Sequence, residues 1–359
     1  MKILFLTRYG QQGASSRMRC FQFLPYLNDF GIESVVSPFF DDRSLKNKYQ
    51  SGRYSWSDLL FIYWRRTTAL LGKNQFDLVW IEKEVLPWLP VSLELLLLRG
   101  KPYVMDFDDA IFHDYDCHRF AWVRRVYGRK IDCLMAGARL VVAGNRYLAD
   151  RALASGAPRV EVLPTVVDLA RYEAKQAYID TRKLRIVWIG SPYTVRYLLD
   201  LAEPLAVLAK RHTFMLRVIG GAISLPDVDI ESLPWSLDTE AAMIAECDIG
   251  IMPLRDTPWE QGKCAYKLIQ YMACGLPTVA TPIGANRDVV LENETGFFAD
   301  TSAAWVEKLE VLLCDTALRQ RLGQAGRLRV EADYCLLQTA PGLARIFLDI
   351  GGDNETFRV

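Results

Sequence analysis

Short apolar runs alternate along this chain with longer amphipathic segments, and the alternation stops and restarts near residue 183. This pattern limits the possible folds more than any single motif. Runs such as "KILFLT", "DLVWIEKE", "PYVMDFDD" and "RLVVAGN" are too short for helices, and most end in polar residues. They read as strands buried on both faces, which calls for parallel sheets covered by helices on each side. Between them, "SSRMRCFQFLPYLNDFG" reads as an amphipathic helix stopped at Gly31, and "NRYLADRALASG" as a helix with an Asn cap and a Gly stop. After the polar stretch "EAKQAYIDTRK", the best linker candidate, the pattern resumes with "LRIVWIG" and "TVRYLLDLAEPLAVLAKR" and runs on through "DIGIMPL", "AYKLIQYMACG" and "PTVAT". The expectation is an α/β chain of two Rossmann-like, doubly wound domains facing a central cleft, since ligands of such sheets bind beyond the carboxyl ends of the strands. The boundaries are drawn at 1–172 and 173–334, with residues 335–359 after them.

A length of 359 residues fits two domains. Forty-three basic and 43 acidic side chains leave no net charge, so no global field draws the chain to nucleic acid or a membrane. Basic work falls to local patches. The eight cysteines form no CxxC pair and read as reduced, buried, small hydrophobes in a cytosolic protein. "MKILFLTRYG" reads as a first strand rather than a signal peptide, and "VSLELLLLRG", broken by Glu94, is far short of a membrane span.

The chemistry concentrates in three stretches. In "GKCAYKLIQYMACGLPTVAT", a helix would carry Tyr266 and Lys267 in its first turn, with Lys263 just before it and Gln270 one turn on. Free N–H groups and lysines at a helix start suit an anion, and a polar amide on the same side suits a sugar hydroxyl. The combination points to a phosphorylated ligand carrying a ribose; the competing reading is a surface helix with solvated lysines. In "RYGQQGASSRMR", Gly13 lets backbone approach a phosphorylated ligand, and Arg17 and Arg19 either steer an anion or sit on a helix surface. "VMDFDDAIFHDYD" holds Asp106, Asp108, Asp109 and Asp114 with His113 among them. Asp108 and Asp109 either orient a ligand hydroxyl or accept its proton, or else fix the loop by capping bonds.

Taken together, "GKCAYKLIQYMACGLPTVATPIGANRDVV", "NETGFFAD", "VEVLPTVVDLARY", "LRIVWIGSPYTVRYL" and "DIGIMPL" resemble the family-4 retaining glycosyltransferases, enzymes of the GT-B fold. "DFDDAIF", "WIGSP" and "PWEQGKCAYKLIQYMACG" are similar to a bacterial subgroup acting in cell-surface polysaccharide assembly. The resemblance implies an acceptor-side first domain, a second domain that binds a nucleoside-diphosphate sugar, and a helix in 335–359 crossing back to the first domain. That sugar is a co-substrate; neither cofactor nor metal is implied. Arg196 matches one of the family's two phosphate-facing basic residues, and Lys267 or Lys263 stands for the other. Donor contacts are assigned to Gly13, Ser191, Trp235, Lys263, Tyr266, Leu268 and Gln270. Arg17, Arg19, Asp108 and His113 lie on the acceptor side, and Asp109 joins Arg196 and Lys267 in catalysis.

The family carries Glu-x7-Glu across the donor helix, where this chain has Gly262 and Gln270. Gln270 can still hold a ribose. Gly262 cannot contact the donor sugar, which leaves that task to backbone N–H groups or Glu260. Ser191 replaces an Arg found in many members. Asp106-Phe107-Asp108 has the Asp-x-Asp form that binds a divalent metal in the unrelated GT-A enzymes, a reading disfavoured by the repeated two-domain pattern.

The expected acceptor is a lipid-linked or surface glycan, with the chain cytoplasmic or at the inner face of the cell membrane. "YSWSDLLFIYWRRTTALLGK" and "HRFAWVRRVYGRK" mix aromatic and basic residues as membrane interfaces do. An inactive sugar-nucleotide-binding relative, a nucleotide-sugar epimerase and a phosphorylase are the alternatives. A dehydrogenase is disfavoured because no G-x-G-x-x-G follows either opening strand.

Overall fold

A computed structural model describes residues 1–51, 55–178 and 183–352. Tyr54, part of the first aromatic-basic stretch, residues 179–182 of the linker candidate and residues 353–359 lie outside the described residues. Contacts divide the chain into two units. The first comprises residues 1–165, 262–264 and 336 onward; the second comprises 166–261 and 265–335. Val167 and Tyr172 are buried in the second unit's core, so the division falls ahead of the 172/173 boundary drawn from sequence.

The first unit is built on a six-stranded sheet: β1 (Lys2–Tyr9), β2 (Glu33–Phe40), β3 (Leu78–Glu82), β4 (Tyr103–Phe107), β5 (Leu140–Ala143) and β6 (Val160–Val162). The order is β2-β1-β3-β4-β5-β6, with every pairing parallel. β3, β4 and β5 are buried along their whole length, Glu82 and Asp106 included, in keeping with their mostly apolar runs. Between β1 and β3 the chain reverses its direction of travel across the sheet, the position where such folds open a ligand crevice. Helix Leu336–Gly352 packs in this unit, its Phe347 ring 5.2 Å from Trp80 and 6.1 Å from Phe5.

The second unit repeats the plan with β7 (Leu184–Ile189), β8 (Phe214–Ile219), β9 (Ile230–Leu233), β10 (Ile249–Met252), β11 (Thr278–Ala280) and β12 (Gly296–Phe298), ordered β12-β11-β10-β7-β8-β9. All pairings are again parallel, and the reversal falls between β7 and β10. Helix Tyr266–Ala273 buries Leu268, Ile269, Tyr271 and Met272 in one core layer, and helices Ala202–Ala209 and Ser302–Cys314 cover the opposite face.

Two local expectations are corrected. The single helix read over 15–31 is three pieces: helix Ala14–Arg19, a 3-10 turn Phe21–Phe23 and helix Leu24–Asp29, which restarts with Pro25 in its first turn. The cysteines are all free but not all buried, since Cys117 and Cys314 are exposed. Among the described residues, no helix is long and apolar enough to cross a membrane.

Candidate functional site

In the first unit, the strand ends at the reversal gather charge. β3 closes on Glu82, which is fully buried and accepts hydrogen bonds from the Arg8 N–H (2.8 Å) and the hydroxyls of Ser15 (2.7 Å) and Ser16 (2.5 Å). These bonds tie down the glycine loop after β1. At Gly13 a Cβ would lie 2.2 Å from the Cβ of Tyr9, so only glycine fits there. Lys83 follows with φ 67°, left-handed for a residue with a side chain. That twist aims its ammonium at the loop after β4, 3.0 Å from Asp108 and 3.3 Å from Asp109. Lys263 reaches the other oxygen of Asp109 at 3.2 Å, and its carbonyl accepts from the Asn145 amide at 3.0 Å.

Asp109 therefore sits between two lysines. Burial works against its charge, but Lys263 and Lys83 outweigh burial and hold its pKa below the usual carboxylate value. A carboxylate held low is a weak base. It is suited to orienting a hydroxyl rather than taking its proton.

Arg19 does not face an acceptor. It is 2% exposed, pairs with the buried Asp106 at 2.5 Å and donates to the Leu163 carbonyl at 2.7 Å. Burial pushes the Asp106 carboxyl up to about 6 even with Arg19 against it. Arg17 is also buried, donating to the Gln11 carbonyl at 3.2 Å. His113 has both ring nitrogens engaged, by Asp116 and by the Tyr147 hydroxyl, each at 2.7 Å. The carboxylates of the Asp106-x-Asp108 motif face Arg19 and Lys83 respectively. Among the described residues, one group has the donors for a metal, namely His113, Asp116 and Cys117.

In the second unit, β7 runs into Gly190 and Ser191. Ser191 is held in the turn, its N–H donating to the Thr194 hydroxyl at 3.0 Å and its carbonyl accepting from the Thr194 and Val195 N–H groups. Arg196 follows on the 3-10 helix Val195–Leu201 and is exposed, its guanidinium 5.5 Å from the Tyr197 ring. Lys267 comes to the same strand from helix Tyr266–Ala273, with its ammonium 5.5 Å from the ring of Trp188 on β7. The second sheet thus collects Arg196 and Lys267 near the carboxyl end of its reversal strand.

Gln270 is 2% exposed and donates to the Tyr172 hydroxyl at 2.9 Å. Tyr172 in turn lies 3.3 Å from the Tyr266 hydroxyl and 3.4 Å from Glu240, and Glu240 accepts from the Trp235 indole at 2.6 Å. Gln270, Tyr266 and Trp235 are brought together, but through Tyr172 and Glu240, two residues the motif reading did not single out. The side chain of Leu268 is fully buried in the core, and its N–H is bonded to Ala265, so it offers a ligand neither group. Glu260 is buried with its two oxygens taken by Tyr197 and Thr257, so it does not replace the missing family glutamate. At Gly262 a Cβ would meet Ala110 at 2.5 Å.

Residues 183–315 match the family described as "Glycosyl transferases group 1". The segment runs from the start of β7 through helix Ser302–Cys314. Curated relatives include D-inositol 3-phosphate glycosyltransferases. That of Arthrobacter sp. is 28% identical over 35% of this chain and 30% of its own length. That of Pseudarthrobacter chlorophenolicus is 24% identical over 54% of this chain and 52% of its own. The chain spans about half the length, or less, of the curated relatives it matches.

Solved structures align over nearly the whole chain. HepE of Anabaena, in complex with UDP and glucose, has a TM-score of 0.74 at 15% identity, covering 97% of this chain and 100% of that one. The sucrose-phosphate synthase of Thermosynechococcus elongatus has 0.72 at 14%, covering 98% and 100%. The fold is GT-B.

Proposed function

We propose that this chain is a retaining glycosyltransferase. It moves a sugar from a nucleoside-diphosphate sugar to a lipid-linked or surface glycan without a metal ion. The observation that carries this reading is the coincidence of the family match with two cations at the carboxyl end of β7, Arg196 and Lys267. Glycosyl transfer leaves negative charge on the departing diphosphate. Positive groups fixed beside it lower the barrier, each typically by a factor of about 10²–10³.

The Gln270–Tyr172–Tyr266–Glu240–Trp235 chain supports a binding wall for the nucleoside, with Gln270 acting from behind Tyr172. In the first unit, Asp109 orients the acceptor hydroxyl, with Lys83 and Lys263 keeping it ionised.

HepE has been crystallised with UDP-glucose, so UDP and UDP-glucose are the first ligands to try. Thermal denaturation with UDP, GDP, CDP, ADP and dTDP in turn names the donor class. Ligand at about a hundredfold its Kd adds roughly 2.7 kcal/mol, a visible shift in Tm. Transfer from the matching labelled sugar nucleotide to a membrane extract then tests the reaction, and no shift with any nucleotide would overturn the reading.

One observation favours a second reading, a sugar-nucleotide-binding relative without activity. Gly262 has no room for the family's glutamate, and Glu260 is occupied elsewhere. A nucleotide-dependent shift with neither transfer nor donor hydrolysis would decide for it.

A further inference from the structure

Every exposed tryptophan and phenylalanine among the described residues lies in the first unit: Phe30, Trp56, Phe61, Trp64, Trp88, Phe120 and Trp122. Such side chains are normally buried, and several together mark a surface that something else covers. All but Phe30 fall on two adjoining segments. On helix Trp56–Leu71, Trp56, Leu60 and Trp64 recur every four residues, and Trp56 is 84% exposed. They line the side away from the buried Ile62, Arg66 and Leu70.

The second segment is held together by ring contacts. Trp88 packs edge-on against His118 at 5.8 Å, and His118 lies 5.4 Å from Phe120. Trp122, 61% exposed, and Val126 follow one turn apart on helix Ala121–Tyr127. The two segments meet where the Tyr63 hydroxyl donates to the Pro87 carbonyl, next to Trp88.

Charge separates this surface from an ordinary apolar patch. Arg119, Arg124, Arg125 and Arg129 are all exposed, and no acidic residue occurs between Asp116 and Asp132. In a chain of zero net charge this is a local concentration. Arg119 lies over the Phe120 ring at 4.5 Å, so cation and aromatic share one face.

We propose that this surface docks on an anionic phospholipid bilayer. Tryptophan and phenylalanine settle at the depth of the headgroups while arginines pair with lipid phosphates. The excess of four exposed arginines with no acidic residue among them is what a sheet of anionic headgroups complements. The docking lies in the interface, and among the described residues no helix is long and apolar enough to cross a membrane. Its use rests on the glycosyltransferase reading: a water-soluble donor meets an acceptor anchored in the bilayer.

The test is flotation of the full chain with phosphatidylcholine vesicles, with and without phosphatidylglycerol, at low and high salt. Binding is expected only to the vesicles with phosphatidylglycerol, released by salt. Each arginine near an anionic surface contributes about fivefold, so Arg124→Gln with Arg125→Gln lowers partitioning about 25-fold. Trp122→Ala and Phe120→Ala weaken binding further at the same salt. All four positions are exposed, and an unchanged Tm checks the fold.

Failure to float with either vesicle overturns the proposal, as does equal, salt-independent binding to phosphatidylcholine. Loss of a dimer in the variants, with no vesicle binding by the parent, assigns the surface to a second copy and also overturns it. The Tm shift with UDP is read in parallel. If flotation fails and the shift persists, only the surface is lost; if the shift fails and flotation persists, only the donor reading is lost.

Discussion

Replacing Lys83 separates what its charge contributes from what its backbone costs. The ammonium is 3.0 Å from Asp108 and 3.3 Å from Asp109, and the residue is buried. Its φ of 67° costs roughly 1–2 kcal/mol for a residue with a Cβ. Lys83→Met keeps that cost and removes the charge. Removing one partner of a buried ion pair costs about 3–5 kcal/mol. The Asp109 side chain is 27% exposed and keeps Lys263 at 3.2 Å, so a loss of about 3 kcal/mol is expected. Lys83→Gly loses the same charge but relieves the left-handed conformation. It also empties the buried space of the lysine stem, which costs about 2–5 kcal/mol and exceeds the relief of φ, so Lys83→Gly should be less stable than Lys83→Met.

The pH dependence of that loss identifies its cause. Burial disfavours the charged Lys83, but Asp108 and Asp109 outweigh it, so its folded pKa is well above the usual lysine value. This contribution is complete below the unfolded lysine pKa and disappears only as pH rises through the folded one. The folded pKa of Asp109 is depressed, so its contribution is present above the unfolded carboxylate value and is lost as pH falls through the folded one. The gap between Lys83→Met and wild type should therefore be widest near neutrality. It should narrow on acidification toward about pH 4, where Asp109 of the variant takes up a proton more readily than in wild type. Urea unfolding at a series of pH values measures it. A gap that stays constant from neutrality to pH 4 would refute the electrostatic account and leave lost packing as the cause.

Arg196→Ala and Lys267→Ala should each lower transfer about 10²–10³-fold with the fold intact by circular dichroism; wild-type rates in both would remove the charge-stabilisation mechanism. Gln270→Ala takes a buried donor from Tyr172, so it should cost about 1–3 kcal/mol of stability and weaken nucleotide binding. An unchanged Tm with full nucleotide shift would take Gln270 out of the site. EDTA should leave transfer unchanged, and loss of activity restored by Mn²⁺ would revive a metal role for the Asp106-x-Asp108 loop.

How much was legible in the sequence depended on whether a feature was local. β3, β5 and β10 announce themselves because strands buried on both faces are nearly all apolar, and β4 and β7 do so although Asp106 and Arg185 interrupt them. β2 is an edge strand, only partly buried and carrying Pro38, and its pattern is correspondingly weak. β9 and β12 also lie at sheet edges and are only four and three residues long, too short to show a period. Lys83 stood in plain view in "DLVWIEKE", but its direction depends on a left-handed φ that nothing in that stretch signals.

Pairing over long sequence separations is the harder loss, and it redistributes the chemistry. Motif reading counts cations and carboxylates and treats each as available to a ligand. Folding spends several on one another: Arg19 on Asp106, and Lys83 and Lys263 on Asp109. Burial makes those pairings firm, because an ion taken from water must find its counter-charge or neutralise. The first unit's basic residues at the strand ends thus act mainly to keep a carboxylate ionised and in place. In the second unit, Arg196 is exposed and Lys267 lies against the aromatic face of Trp188, which attracts a cation. If a diphosphate departs from this protein, its charge falls to those two residues, and the double variant Arg196→Ala/Lys267→Ala should lose far more than either single one does.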